Sequence, residues 1–407
     1  MRLSRAFLSV LTGALLSVGG ASHAADWSRF RGPNGSGVAT DAKSLPSQFS
    51  QTQNLKWKVE IPGRGSSSPI VVGDRVFVSC WSGYGQSRDD VGDIKALKLH
   101  LLCFDRASGK QLWNQTVDPF YPEEPYRSMF AEHGYASHTP VSDGEHVFVY
   151  FGKSGLHAFG LDGKKLWNKQ VGTGADPRGW GTASSPILYK DMVIVTAPAE
   201  SQAIVAFNKQ TGEQVWKQEA EGFVGTWGTP VLVEVDKQRT DLVIGVPYEI
   251  WGLNPETGKL RWYCEASQDD SYCSSVVAEG DTVFAVEGRG GGSFAIRAGG
   301  KDDVTKTHVL WSGKERNRIG SPLLMDGLLY FVSGRIVTCI DAKTGKEVYK
   351  SRLASKGSAA ASKVSNTSLG HLASYARIAI HLSEFSRIRE NWRSAREIKL
   401  RYPRGLR

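Results

Sequence analysis

The stretch Asp105-Arg106-Ala107-Ser108-Gly109-Lys110-Gln111-Leu112-Trp113 reads as a tight β-turn that hands an indole to the strand following it. Asp or Asn at the opening position can accept a hydrogen bond from the backbone two residues on, and the glycine supplies the positive φ that closes the turn. The tryptophan then falls on an outer strand, where a broad ring can cover a neighbouring sheet. Copies run from Asn208 to Trp216, from Asn254 to Trp262 and from Asp341 to Tyr349, with Gly212, Gly258 and Gly345 in the place of Gly109. A shortened copy runs from Asp162-Gly163 to Trp167, and Trp311 ends a degenerate one. One such motif is weak evidence; several in register specify a repeat.

Outward from the hairpins, a small polar residue followed by Pro opens each unit: Ser68-Pro69, Thr139-Pro140, Ser185-Pro186, Thr229-Pro230 and Ser321-Pro322, with Ser275-Val276 in the same role. The spacings are 71, 46, 44, 46 and 46 residues, a period that fits the four-stranded blades of a propeller. The long first interval holds two polar or Pro-rich insertions, about 81–100 and 118–135, which read as extended loops. Cys103 and Cys339 fall at one repeat position, where other units carry Ala158, Ala206 and Gly252, so they read as small buried residues. The fold class is therefore all-β, a β-propeller of about six recognisable blades. Asn54 to Val59, with Trp57, reads as an outer strand that closes the ring from the N-terminal side.

The ends differ from the body. Residues 1–24 carry Arg2, Arg5 and the apolar run Ala6–Val18 before small residues at Ser22-His23-Ala24, the pattern of an export signal without a lipid-attachment cysteine. The expectation is a periplasmic or secreted monomer with no transmembrane segment. The formal net charge of +9 is confined to the ends: residues 26–355 hold 37 basic and 38 acidic residues, so nucleic-acid binding has no support in the propeller, assigned to 25–355. Residues 356–407 form a basic, non-repeat tail. It reads as a native extension, as an amphipathic helix with Tyr375, Ile378, Leu382, Phe385, Ile388, Trp392 and Ala395 on one face, or as a frameshifted replacement of further blades.

The repeats resemble the tryptophan-docking motifs of pyrroloquinoline-quinone (PQQ) propellers, a superfamily that includes quinoprotein alcohol dehydrogenases and BamB-type assembly factors. The opening Asp26-Trp27-Ser28-Arg29-Phe30-Arg31-Gly32-Pro33-Asn34-Gly35-Ser36-Gly37-Val38 is similar to the start of secreted PQQ-like repeat proteins common in planctomycete-type bacteria. The resemblance covers roughly 26–355 and implies an eight-bladed ring, so two blades of that pattern are missing here. It also implies, for quinoprotein enzymes, a cofactor ring, commonly an adjacent-cysteine disulfide, a Ca²⁺ held by oxygen ligands and an Asp general base. This sequence has no adjacent Cys pair and no haem-attachment motif, and no loop gathers carboxylates at a coordinating spacing.

Candidate ligand-binding residues precede the Pro steps, where the chain enters the innermost strands at one mouth of the channel. They are Arg64, Tyr135, Trp180, Trp227, Tyr272 and Arg318, with His133 and His138 beside Tyr135. Aromatics and guanidiniums suit a planar or anionic ligand, but they can equally plug the channel. His133 and His138 lack a third ligand in sequence reach, so no metal site is expected. Cys264 and Cys273 flank one inter-blade loop and could pair as a disulfide; Glu287 to Gly292 reads as a strand connection rather than a phosphate loop. The reading that results leans away from an enzyme. It is a non-catalytic, extracytoplasmic binding or scaffolding propeller for an envelope protein or glycan, needing no cofactor. The alternative is a PQQ- and calcium-dependent oxidoreductase acting on an alcohol or sugar.

Overall fold

The computed structural model describes residues 26–39, 50, 52–288, 290–317, 319–333 and 336–352. The export signal, the tail after 352 and Arg318 lie outside these. Six sheets follow one another along the chain, each built on four antiparallel strands in sequence order, the fourth with a parallel fifth strand added. Sheet one consists of Ile70–Val72, Arg75–Ser82, Lys98–Asp105 and Gln111–Val117. Sheets two to six repeat the plan over 141–169, 187–219, 231–265, 277–313 and 323–352. The protein is a β-propeller, and six of its blades are described where the resemblance implied eight.

The Ser/Thr before each Pro step links successive blades. The backbone N–H of Ser68 donates to Thr139 Oγ1, Thr139 to Ser185 Oγ, Ser185 to Thr229 Oγ1, Thr229 to Ser275 Oγ and Ser275 to Ser321 Oγ, all at 2.9–3.0 Å. Thr139, Ser185, Thr229 and Ser275 each use the backbone toward one neighbour and the hydroxyl toward the other. That double duty explains the residue type, because a buried N–H needs an acceptor and only a short hydroxyl reaches it.

The outer strands are joined by indoles. Trp57, Trp113, Trp167, Trp216 and Trp311 lie against Gly109, Gly163, Gly212, Gly258 and Gly345, where an added Cβ would stand only 2.5–2.8 Å from the ring. Their Nε1 atoms donate to the carbonyls of Arg106, Leu161, Lys209, Pro255 and Ala342. Opposite the last strand's aromatic residue sits the small residue of the third strand: Cys103 faces Trp113, Ala158 Trp167, Ala206 Trp216, Gly252 Trp262, Ala295 Trp311 and Cys339 Tyr349. The register slips immediately after every one of these pairs.

Three expectations are corrected. Trp262 docks on no glycine turn; the hairpin it should cover is replaced in sheet five by residues 298–308. There Asp302–Asp303 adds as a parallel fifth strand to Leu260–Glu265, joining sheets four and five by backbone pairing instead. Cys264 and Cys273 are not joined as a disulfide: Cys264 is buried within the outer strand of sheet four, while Cys273 lies on the return to the next inner strand. Residues 54–59, moreover, pair with no strand among the described residues. Trp57, Val59 and Ile61 instead cover the face of sheet one turned away from sheet two.

The opening segment crosses the inner strands. Trp27 pairs with Val71, Ser28 O accepts from Ser142 N, and Asn34 exchanges hydrogen bonds with Leu232. Arg29 donates to Pro230 O, and Arg31 to Ser321 O and Pro322 O. These contacts fall on blades one, two, four and six, at or beyond the Pro steps. The segment thus staples the propeller across its centre and leaves the opposite mouth to the loops described next.

Candidate functional site

Strand order places two sets of loops at that opposite mouth: the returns from each outer strand to the next inner one, and the turns between second and third strands. The two insertions are among them, and they fold together. Tyr126 N donates to Tyr84 Oη, Tyr121 Oη to Ile94 O, and Arg88 pairs with Glu132 at 2.6 Å. Trp81, Tyr84, Tyr126, Phe130 and Tyr135 form one aromatic cluster with centroid separations of 4.8–6.4 Å. Edge and tilted contacts of this kind add to the burial of apolar surface. The platform leaves Phe120 and Tyr121 about two-fifths exposed.

Between sheets two and three this platform borders a cleft lined by Glu123, Glu124, Tyr135, His138, Lys153, Asp176, Thr182 and Glu200 among others. Lys153 Nζ lies 3.1 Å from Glu124 Oε1 and donates to Pro122 O. Asp176 Oδ2 accepts from Trp180 N at 2.8 Å. Glu200 is only 6 % exposed, and its Oε2 completes no hydrogen bond. Loss of water raises its carboxyl to about 8, with Tyr150, Glu123 and Lys153 facing it. Burial also raises Glu123, to about 7. A second buried acid, Glu287, is likewise pushed up to about 8 by burial at the mouth of sheet five.

The expected mouth residues divide into two groups. Arg64, His133, Trp180 and Trp227 are partly exposed. Arg64 is bound to Tyr126 Oη and Gln86 O, while His133 lies between Ser137 Oγ and Trp180 O. Trp180 and Trp227 pack on each other at 5.3 Å, and Arg178 lies over Trp180. Tyr135, His138 and Tyr272 are buried: Tyr135 donates to Glu124 O, His138 packs edge-on against Tyr150, and burial lowers His138 to about 3. These three shape the wall rather than offer a contact surface. The sequence reading missed Glu124, Lys153, Asp176 and Glu200. They come from four separate segments: Lys153 and Glu200 from short turns between second and third strands, Glu124 and Asp176 from returns between outer and inner strands, a signal visible only once the blades are aligned.

No group of three or more His, Cys, Asp or Glu among the described residues is placed to hold a metal ion.

A family model described as "Outer membrane protein assembly factor BamB" matches residues 98–351. Among curated relatives, the chain is 28 % identical to outer membrane protein assembly factor BamB of Burkholderia pseudomallei (strain K96243), over 43 % of this chain and 38 % of that one. It is 20 % identical to tetrathionate hydrolase of Acidithiobacillus ferrooxidans, over 74 % and 61 %, and 23 % identical to polyvinylalcohol dehydrogenase of a Pseudomonas species, over 54 % and 37 %. The chain thus spans less than two thirds of the length of each. Among solved structures, BamB from Moraxella catarrhalis superposes with a TM-score of 0.47 at 14 % identity, covering 73 % of this chain and 91 % of that one. A europium-containing methanol dehydrogenase gives 0.49 at 13 %, covering 73 % of each chain.

Proposed function

Because this chain belongs to the family of the outer membrane protein assembly factor BamB, we propose that it is an extracytoplasmic, non-catalytic binding propeller that engages an envelope protein or glycan. The observation that carries the reading is the platform made by the two insertions. Loops ordered by their own aromatic core are costly to maintain unless they present something, and this one presents Phe120 and Tyr121 beside a charged cleft. No helix among the described residues is long and apolar enough to cross a membrane.

The test is capture from envelope extracts of the source organism with a photo-crosslinker at position 121 and, as control, at Leu260, an exposed residue of an outer strand. A component captured at 121, absent at 260 and lost in a Phe120→Ser variant supports the reading. Equal capture at both positions argues against it. Addition of PQQ and Ca²⁺ to the purified protein tests the oxidoreductase alternative: a bound-quinone absorbance with dye-linked alcohol oxidation would replace this proposal.

A further inference from the structure

We infer that the cleft between sheets two and three binds one cationic head group, a primary ammonium or a guanidinium on a slender arm. The inference deepens the binding reading and rests on it only for the bearer of the group, a lysine or arginine side chain of the partner.

The charge count comes first. Four acids, Glu123, Glu124, Asp176 and Glu200, line the cleft with a single cation, Lys153, which is already held by Glu124 and Pro122 O; Glu200 is neutral until a cation enters. Unsatisfied acceptors come second. Glu200 Oε2 and Thr182 Oγ1 lie in residues 6 % and 7 % exposed, and neither completes a hydrogen bond. A buried polar group without a partner costs about 1–3 kcal/mol, and Tyr150 Oη, facing Glu200, is unpaired as well, so the cleft holds several groups that an entering ligand can satisfy. An ammonium carries three donors and no acceptor, and a guanidinium five.

Glu200 also determines how binding is linked to protons. At neutral pH burial keeps its carboxyl protonated. A cation entering the cleft stabilises the carboxylate, so the proton leaves to solvent as the ammonium–carboxylate pair forms. The groups that face Glu200 are Tyr150 and Glu123 and Lys153, with Glu124 and Asp176 across the cleft.

The experiment is calorimetric titration of the full chain at pH 7 with agmatine and with Nα-acetyl-lysine amide, using Nα-acetyl-norleucine amide as the neutral control. Saturable binding of the cations is expected, with heats that change with the buffer's ionisation enthalpy and report release of a proton. Glu200→Gln should weaken binding about tenfold or more, the worth of a charged hydrogen bond, while melting no lower than the parent. Equal binding by Glu200→Gln, equal binding of the norleucine amide, or no saturation by either cation would each overturn the inference. Envelope capture separates the two proposals. If the Glu200→Gln protein still captures its component at position 121, the platform reading stands and only the cation site falls.

Discussion

Trp262 Nε1 donates to Asp241 Oδ2 at 2.7 Å, within its own sheet, where the other indoles of the series reach a carbonyl of the next unit. Asp241 is fully buried and also binds Arg239 through two nitrogens and Arg261 through one. Removing one partner of a buried charged cluster leaves the others without compensation, at a cost of roughly 3–5 kcal/mol. Asp241→Ala should therefore lower the urea midpoint strongly and red-shift part of the tryptophan emission.

The glycine turns separate conformational strain from contact. Gly73 has φ +53° with nothing within 4 Å of a built Cβ, whereas Gly212 has φ +70° and the Trp167 ring at 2.7 Å. Gly73→Ala should cost about 1 kcal/mol, the penalty of a left-handed Cβ. Gly212→Ala adds overpacking and should cost roughly 3 kcal/mol. Trp167→Ala in the Gly212→Ala background should recover little, since the indole's own burial is lost. Equal losses for the two glycine variants in denaturant titrations would contradict the docking account.

The staple across the centre depends on guanidinium geometry. Arg31 Nε donates to Gly35 O and Nη1 to Ser321 O, and Nη2 reaches Ser36 O and Pro322 O. Lysine has one donor group at one point and cannot span these carbonyls. Arg31→Lys should cost roughly 2 kcal/mol or more by leaving buried acceptors unpaired, and it should speed proteolysis after Arg29.

Stability should also depend on pH through the two buried acids. Glu200 and Glu287 rise from 4.5 to about 8, so each supports the fold fully below 4.5 and loses that support as the pH climbs to about 8. His138, lowered from 6.5 to about 3, acts in reverse: its support is complete above 6.5 and is lost toward 3. Between pH 6.5 and 8.5 the acids dominate, and stability should fall. Glu200→Gln with Glu287→Gln should flatten that fall, measured by urea unfolding at the two pH values.

Much of this was legible along the chain. The turn Asp105–Gly109, the partner position of Cys103 and the Ser/Thr before each Pro step all follow from rules acting within a few residues, so one copy of the repeat predicts the next. The reading failed where one blade's neighbour departs from the pattern. Trp262 carries the same local signature as Trp216, yet its dock is absent because residues 298–308 replaced the turn in the following blade. Cys264 and Cys273 are close in sequence, but the chain between them returns from the outer strand to the inner one.

The repeat, its strand count per blade and the position of every docking indole are consequences of short-range periodicity: turn chemistry, side-chain alternation and small residues opposite large ones. The meeting of Glu124 with Lys153, Asp176 and Glu200, the burial of His138 and Tyr272, and the reach of Arg31 to Pro322 arise only when blades pack around a common centre. Those contacts join segments with no shared pattern, because what brings them together is the packing of one sheet on the next rather than any rule between neighbours in the chain.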